Sequence, residues 1–122
     1  MILNGKEYGL YLTTQAWSEI AALCPDGNFS KFGSLMEGQD SMKNVVRILA
    51  ALSRGYADYE EVILGHKRPE VLTEKYLSAL SPFVFTKAGV MDEITNAMQG
   101  GTEQEIQTEP VKGKNAEGAA TA

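Results

Sequence analysis

The segment from Ser41 to Arg54 constrains the fold most, because its apolar residues recur at the three-and-four spacing of one helical face. A face this broad has to be buried on several sides, so we predict a central helix with the rest of the chain packed around it. Asp40 or Ser41 can cap its start, and Gly55 can adopt the left-handed conformation that ends a helix. Alternatively, Gly55 is a kink within a longer helix, and the sequence leaves both alternatives open. The predicted inward residues are Met42, Val45, Val46, Ile48, Leu49 and Leu52.

The length and charge of the chain indicate a single acidic domain. With 122 residues, 43% of them hydrophobic, the chain is long enough for one modest core. Its net charge of -5 would repel phosphate backbones and anionic membranes, so we expect no nucleic-acid or membrane partner. The single cysteine, Cys24, excludes an intramolecular disulfide. Neither a signal peptide nor a membrane-spanning stretch is recognisable, so we predict a cytoplasmic protein.

The first twelve residues have the pattern of a short β-hairpin. Asn4-Gly5 supplies the two residues with positive φ that a two-residue turn requires. In the second strand Tyr8, Leu10 and Leu12 alternate with more polar neighbours, which predicts one face to bury. A lone hairpin is only marginally stable, so this face should pack on helices. The unpaired edge of the hairpin is a place where a partner can bind.

Two helical segments are predicted between the hairpin and the central helix. Thr13 or Thr14 can cap the first helix, which Pro25 ends because proline disfavours helical geometry in the preceding residue. A short second helix can begin after Asn28 and close at Gly38. The apolar stripe of the first helix comprises Ala16, Trp17, Ile20, Ala21 and Leu23.

Further helical segments follow the central helix. Residues 56–64 predict one or two helical turns ending at Gly65, and Thr73 can cap a short helix through Leu80. Ser81-Pro82 then begins a last helix that should run to about Gln99 and stop at Gly100-Gly101. In this helix we expect Phe85 on the outer side. The expected inner residues are Phe83, Val90, Met91, Ile94 and Met98.

Together these elements predict a mainly α fold: a short N-terminal β-hairpin, then a small helical bundle of about five helices, then a disordered C-terminal tail. The hairpin and helices occupy residues 1–100. Residues 101–122 form the tail, because from Thr102 onward the chain offers almost nothing to bury.

Residues suited to catalysis or metal binding are scarce. His66 is the only histidine, which excludes a two-histidine metal site within the chain, and it lies in a predicted basic loop with Lys67 and Arg68. Cys24 lies at a predicted helix C-terminus, where the helix dipole disfavours a thiolate. The carboxylates of Glu60 and Glu61 are adjacent on a predicted helix and so point in different directions, which keeps them from acting on one substrate atom. The same holds for Asp92 and Glu93. We therefore predict no enzyme activity, no cofactor and no metal, and a solvated basic loop rather than a nucleic-acid site.

Apolar residues after the central helix are the candidates for partner binding. This region and the last helix carry more aromatic and aliphatic surface than short helices clearly need, and exposed apolar patches often mark protein partners. The alternative is that so small a domain uses these side chains in its core. The candidate partner-binding residues are Tyr56, Tyr59, Val62, Ile63 and Phe85.

Several segments in this order resemble a known family. They are residues 2–8 (Ile-Leu-Asn-Gly-Lys-Glu-Tyr), 19–25 (Glu-Ile-Ala-Ala-Leu-Cys-Pro), 45–52 (Val-Val-Arg-Ile-Leu-Ala-Ala-Leu), and 72–74 (Leu-Thr-Glu) before the Ser81-Pro82 helix. In this order of elements, over residues 1–99, the chain is similar to the tail assembly chaperones of long-tailed bacteriophages and prophages of Gram-positive bacteria.

This resemblance implies a protein without catalytic residues that works in the host bacterial cytoplasm. It implies that the chain binds the tape-measure protein, the long helical ruler of the tail, and keeps it soluble while tube subunits assemble around it. The tail tube protein and further copies of the chain are the other partners it implies. A ribosomal frameshift at Gly113-Lys114-Asn115 would add a longer form, which only the nucleotide sequence can decide.

Two other functions share the absence of catalytic groups. A structural component of the virion, such as a connector or tail-completion protein, would be found in purified particles. A small DNA-binding regulatory protein would bind with a steep dependence on salt, and the net charge argues against it.

Overall fold

One long helix lies at the centre of the fold, with a small hairpin and shorter helices around it. The computed structural model describes the backbone of residues 1–108 and the side chains of residues 1–99. The predicted mainly helical fold with a short N-terminal hairpin is confirmed. The elements are β1 (Ile2–Leu3), β2 (Lys6–Glu7), α1 (Thr14–Leu23), 3₁₀ segments at Pro25–Gly27 and Phe29–Met36, α2 (Ser41–Asp58), a π-helical turn (Tyr59–Ile63), α3 (Glu74–Ala79), α4 (Pro82–Ala88) and α5 (Val90–Thr108).

The hairpin has the predicted turn but a shorter second strand. Its strands pair antiparallel, and Asn4 (φ 52°) and Gly5 (φ 82°) form the turn with the positive φ values that a two-residue turn needs. The prediction that the second strand continues to Leu12 is wrong. Tyr8 still pairs with Met1 through a 2.7 Å backbone hydrogen bond, and the chain then leaves the hairpin and lies along α2, where the Tyr11 amide donates a 3.1 Å hydrogen bond to the Leu52 carbonyl.

Gly55 lies inside α2 and is buried there, so the prediction that it ends the helix is wrong and the longer helix is confirmed. A Cβ atom at this position would lie 2.3 Å from the Tyr11 carbonyl oxygen. Glycine is therefore needed for the close approach of the extended segment to the helix, not for a left-handed cap. At the other end of α2, Asp40 precedes the helix without a side-chain capping hydrogen bond, contrary to the prediction.

The other predicted helix starts are confirmed as capped. The side-chain oxygens of Thr13, Asn28, Thr73 and Ser81 each accept a hydrogen bond from a backbone amide in the following turn. The helix after Asn28 is a 3₁₀ helix rather than an α-helix. These local signals therefore fix where most of the short helices begin.

The predicted last helix is two helices, because Gly89 adopts the left-handed conformation (φ 66°) and separates α4 from α5. The break lets α4 orient independently, and the predicted faces are reversed. Phe85, expected outside, is buried with 6% of its surface exposed, and Phe83, expected inside, is 81% exposed. In α5, Val90 and Ile94 are buried as predicted, whereas Met91 is 47% exposed.

The predicted C-terminal end of the last helix, at Gly100-Gly101, also differs from the structure. α5 continues past Gly100 and Gly101, where the sequence predicts its stop, and extends to Thr108. The rest of the predicted tail, residues 109–122, lies outside the described residues, and so does the frameshift candidate at Gly113-Lys114-Asn115.

The core is centred on α2, as the sequence predicts. Ser53, a buried polar residue in this helix, is satisfied because its Oγ accepts a 2.8 Å hydrogen bond from the Leu72 amide, which holds the segment before α3 against the helix. Met42 is an exception to the predicted inner face, since it is 46% exposed. The largest fully buried side chains are Leu3, Ile20, Ile48, Leu49, Leu52, Leu72, Leu77 and Ile94.

Candidate functional site

Three large apolar side chains in succession are exposed at the end of the central helix. Val62, Ile63 and Leu64, which we call the exposed turn, are 74%, 67% and 43% exposed. They lie at the end of the π-helical turn, which Gly65 (φ 71°) terminates. Single-turn π-helical segments are frequently found at functional sites. The structure thus places two predicted partner-binding residues, Val62 and Ile63, on the surface and adds Leu64 to them.

Ion pairs hold the backbone on both sides of the exposed turn. Arg68 Nη1 lies 2.6 Å from Asp58 Oδ1 and 3.2 Å from Glu61 Oε1. His66 Nδ1 lies 2.9 Å from Glu60 Oε1, and the His66 amide donates a 2.8 Å hydrogen bond to the Glu60 carbonyl. The hydrogen bond to Asp58 raises the pKa of Arg68, so its positive charge is secure. The basic loop therefore folds back onto acidic residues of α2 and the π-helical turn.

The two predicted tyrosines lie next to this turn but are partly covered by the chain that follows the hairpin. Tyr59 stacks on Tyr11, with ring centroids 4.3 Å apart. Tyr56 lies against Gly9, where an added Cβ would come within 2.4 Å of the tyrosine ring. Both tyrosines are half-buried, so they fix the extended segment on α2 and leave only part of their surface accessible.

Phe85, the fifth predicted partner-binding residue, lies apart from the other four. It belongs to the core in α4, so the prediction that it is exposed is wrong. A continuous helix from Pro82 to Gln99 would have Phe85 on its outer side, whereas the break at Gly89 lets α4 turn this side chain into the core.

Phe85 nevertheless lines a second surface feature, an apolar cleft of about 250 Å³. We call it the methionine cleft, because half-exposed Met42 on α2 and Met91 on α5 both line it. Sequence reasoning missed the cleft, since both methionines have the spacing of core residues. Its lining residues are Met42, Val45, Phe85, Thr86, Gly89, Val90, Met91 and Asp92.

A third apolar feature is a stack of aromatic rings between α1 and the second 3₁₀ segment. Trp17 is 45% exposed, although its position in the apolar stripe predicts burial. Its ring stacks on Phe29 with centroids 3.8 Å apart, and Phe29 in turn lies 5.7 Å from Phe32. Because the rings cover one another, this stack is explained by packing the 3₁₀ segment on α1.

The hairpin edge, predicted as a place for a partner, borders a groove of about 620 Å³ between the hairpin and α4. Ile2 lines it and is 63% exposed, and Lys87 and Glu93 bring opposite charges to its walls. The edge strand β1 is only two residues long, so it offers few backbone groups to an added strand.

The reactive side chains are placed as follows. Cys24 is buried, its thiol donates a 3.5 Å hydrogen bond to the Ile20 carbonyl, and burial raises the pKa of the thiol. A buried thiol with a raised pKa is a poor nucleophile. Among the side chains that the structure describes, no three of the His, Cys, Asp or Glu type lie close enough to hold a metal ion. Of the helices within the described residues, none has the length and apolarity to span a membrane.

Comparisons with protein-family models, with curated proteins and with solved structures find no match to this chain.

Proposed function

We propose that this protein is a tail assembly chaperone of a long-tailed phage or prophage, which binds the tape-measure protein in the host cytoplasm and catalyses no reaction. The proposal combines the resemblance described above with the exposed turn, the observation that carries it. Three large apolar side chains exposed within one turn are more than the single exposed residues that are normal on a small protein, and exposed apolar surface often marks a protein partner.

The geometry of the exposed turn suits a helical client. The turn continues the central helix, and its flanks are held by the ion pair between Arg68 and Asp58 and by the hydrogen bond between the His66 ring and Glu60, so little ordering is required on binding. A long amphipathic helix that awaits assembly exposes apolar stripes along its length. Covering such stripes with apolar side chains from a preformed surface is an established mode of helix recognition.

The charges around the exposed turn favour a protein client over DNA. Two of the three basic side chains in the basic loop, Arg68 and His66, face carboxylates at 2.6–3.2 Å, which leaves Lys67 as the third. A phosphate would have to displace these carboxylates, in a protein whose net charge is already -5.

The proposal is tested by co-expressing the chain with the tape-measure protein of the same phage or prophage. We expect a soluble complex with the natural chain and an insoluble tape-measure protein when Val62→Asp and Ile63→Asp are combined, because two carboxylates cannot be buried against an apolar stripe. Both positions are strongly exposed, so the fold should be retained, and circular dichroism checks this.

Phe83→Asp is the matched control, since Phe83 is even more exposed but lies on α4. It should leave the complex intact. A tape-measure protein that stays insoluble with the natural chain would contradict the proposal, as would equal loss of the complex in the control. Recovery of the chain from purified particles would favour a structural virion component instead.

A further inference from the structure

The methionine cleft has the features of a pocket for a single apolar side chain. Its floor consists of Val45, Phe85 and Val90, which are 5%, 6% and 3% exposed. Met42 and Met91 form walls that are 46% and 47% exposed. An apolar cavity of about 150 Å³ can hold a benzene ring, so about 250 Å³ is enough for a leucine or phenylalanine side chain. Methionine walls can adapt to side chains of different shape.

The cleft lies where α2, α4 and α5 come together without filling the space between them. Gly89 ends α4 and starts α5 in another direction, and the first turn of α2 lies opposite this break. Phe85 and Val90, on either side of the break, are buried and Met91 is 47% exposed, and the cleft lies between them. An extra apolar side chain can therefore enter without rearranging the core.

The charge on the rim selects the kind of partner. Of the eight residues that line the cleft, only Asp92 is charged, and no ion pair of Asp92 is found among the described residues. A neighbouring carboxylate favours a cationic group beside the apolar anchor, and the net charge of -5 attracts such a partner at long range. The same net charge disfavours a second copy of this chain as the occupant.

From this geometry we infer that the methionine cleft is a docking site for a cationic amphipathic helix, which inserts one leucine or phenylalanine and pairs a lysine or arginine with Asp92. A helix carries residues three or four positions apart on the same face, so it presents an apolar anchor and a basic side chain together. The site is separate from the exposed turn, and the inference holds whatever the client of that turn is.

The five methionines of the chain provide the readout. The protein is labelled on its methionine methyl groups and titrated with a synthetic helix of about 18 residues, five turns long, with leucines along one face and lysines flanking them. A second peptide has glutamate in place of every lysine. We expect the lysine peptide to shift the Met42 and Met91 signals and to leave those of Met1 and Met36 in place.

Two variants test the pairing and the pocket. Asp92→Asn should weaken the lysine peptide about threefold to fivefold, the size of an exposed ion pair, and should reduce its advantage over the glutamate peptide. Met42→Ser with Met91→Ser should weaken binding at least about tenfold, through loss of the apolar walls. Both methionines are half-exposed, so these variants should fold.

Three results would overturn the inference. The first is binding without shifts at Met42 and Met91. The second is equal affinity for the lysine and glutamate peptides in the natural chain. The third is a concentration-dependent shift of both signals without peptide, which would identify a second copy as the occupant.

Discussion

Gly55 is the residue whose role differs most between the sequence and the structure. Its pattern is that of a helix stop, yet it lies buried in α2, and Gly9 likewise permits close packing against Tyr56. Both glycines remove a side chain where two backbone segments, or a backbone and a ring, approach closely. This use of glycine depends on residues more than forty positions away, so no local pattern could have shown it.

We predict that Gly55→Ala destabilises the protein by about 1–3 kcal/mol, although alanine is the better helix former. The new methyl group would lie 2.3 Å from the Tyr11 carbonyl, and relieving this overlap costs more than the roughly 1 kcal/mol gained in helix propensity. The shift should also weaken the hydrogen bond from Tyr11 to Leu52. Urea unfolding of the two proteins measures the difference in the free energy of unfolding.

Gly33→Ala is the matched control for this prediction. Gly33 is exposed within a 3₁₀ segment, and an added Cβ there meets nothing within 4 Å. It should be neutral or slightly stabilising, because alanine restricts the unfolded chain. If Gly55→Ala proved as stable as Gly33→Ala, the close approach of the extended segment to α2 would be incorrect.

Among the elements, those with local signals were predictable and those set by packing were not. The hairpin turn at Asn4-Gly5 and the capping residues Thr13, Thr73 and Ser81 act within a few positions of the chain, so the sequence shows them directly. The break at Gly89 carries one local signal, the glycine itself, and no proline stands beside it. The helical spacing continues across it, which reversed the predicted faces of Phe83 and Phe85.

We predict that Gly89→Ala destabilises the protein by about 1–2 kcal/mol, the cost of placing a β-carbon in the left-handed helical conformation. An added Cβ meets nothing within 4 Å here, so the cost is conformational rather than steric. Gly89→Asn should cost less, because asparagine tolerates this conformation better. Thermal unfolding of the three proteins ranks them. An alanine variant as stable as the natural protein would mean that residue 89 does not need the left-handed conformation that separates α4 from α5.

For the whole molecule, the candidate surfaces were only partly predictable. Val62 and Ile63 follow a helix in which the inward positions are already filled, so their exposure could be expected from the sequence. The methionine cleft could not be, because it needs the first turn of α2 to face the break at Gly89. A site built from three elements appears only when their packing is known.

The buried thiol of Cys24 makes the stability of the whole molecule depend on pH in the alkaline range. Burial raises the pKa of this thiol, so the folded protein retains the proton to a higher pH than the unfolded chain does. The associated stability is fully present below about pH 8.5, the ordinary pKa of cysteine, and is lost as the pH rises through the raised value. We therefore predict that the free energy of unfolding of the natural protein decreases over roughly pH 8 to pH 10.

Cys24→Ala isolates this contribution, because the variant keeps every other titrating group. Between pH 8 and pH 10 its free energy of unfolding should fall less than that of the natural protein. Once the unfolded thiol is ionised, the two slopes should differ by on the order of 1 kcal/mol per pH unit. Urea unfolding under reducing conditions measures both. The comparison uses the slope with pH, so the small cavity left by alanine does not affect it. Parallel slopes for the two proteins would show that the Cys24 thiol ionises as easily in the folded protein as in the unfolded chain, and that the packing of α1 against the core leaves it open to water.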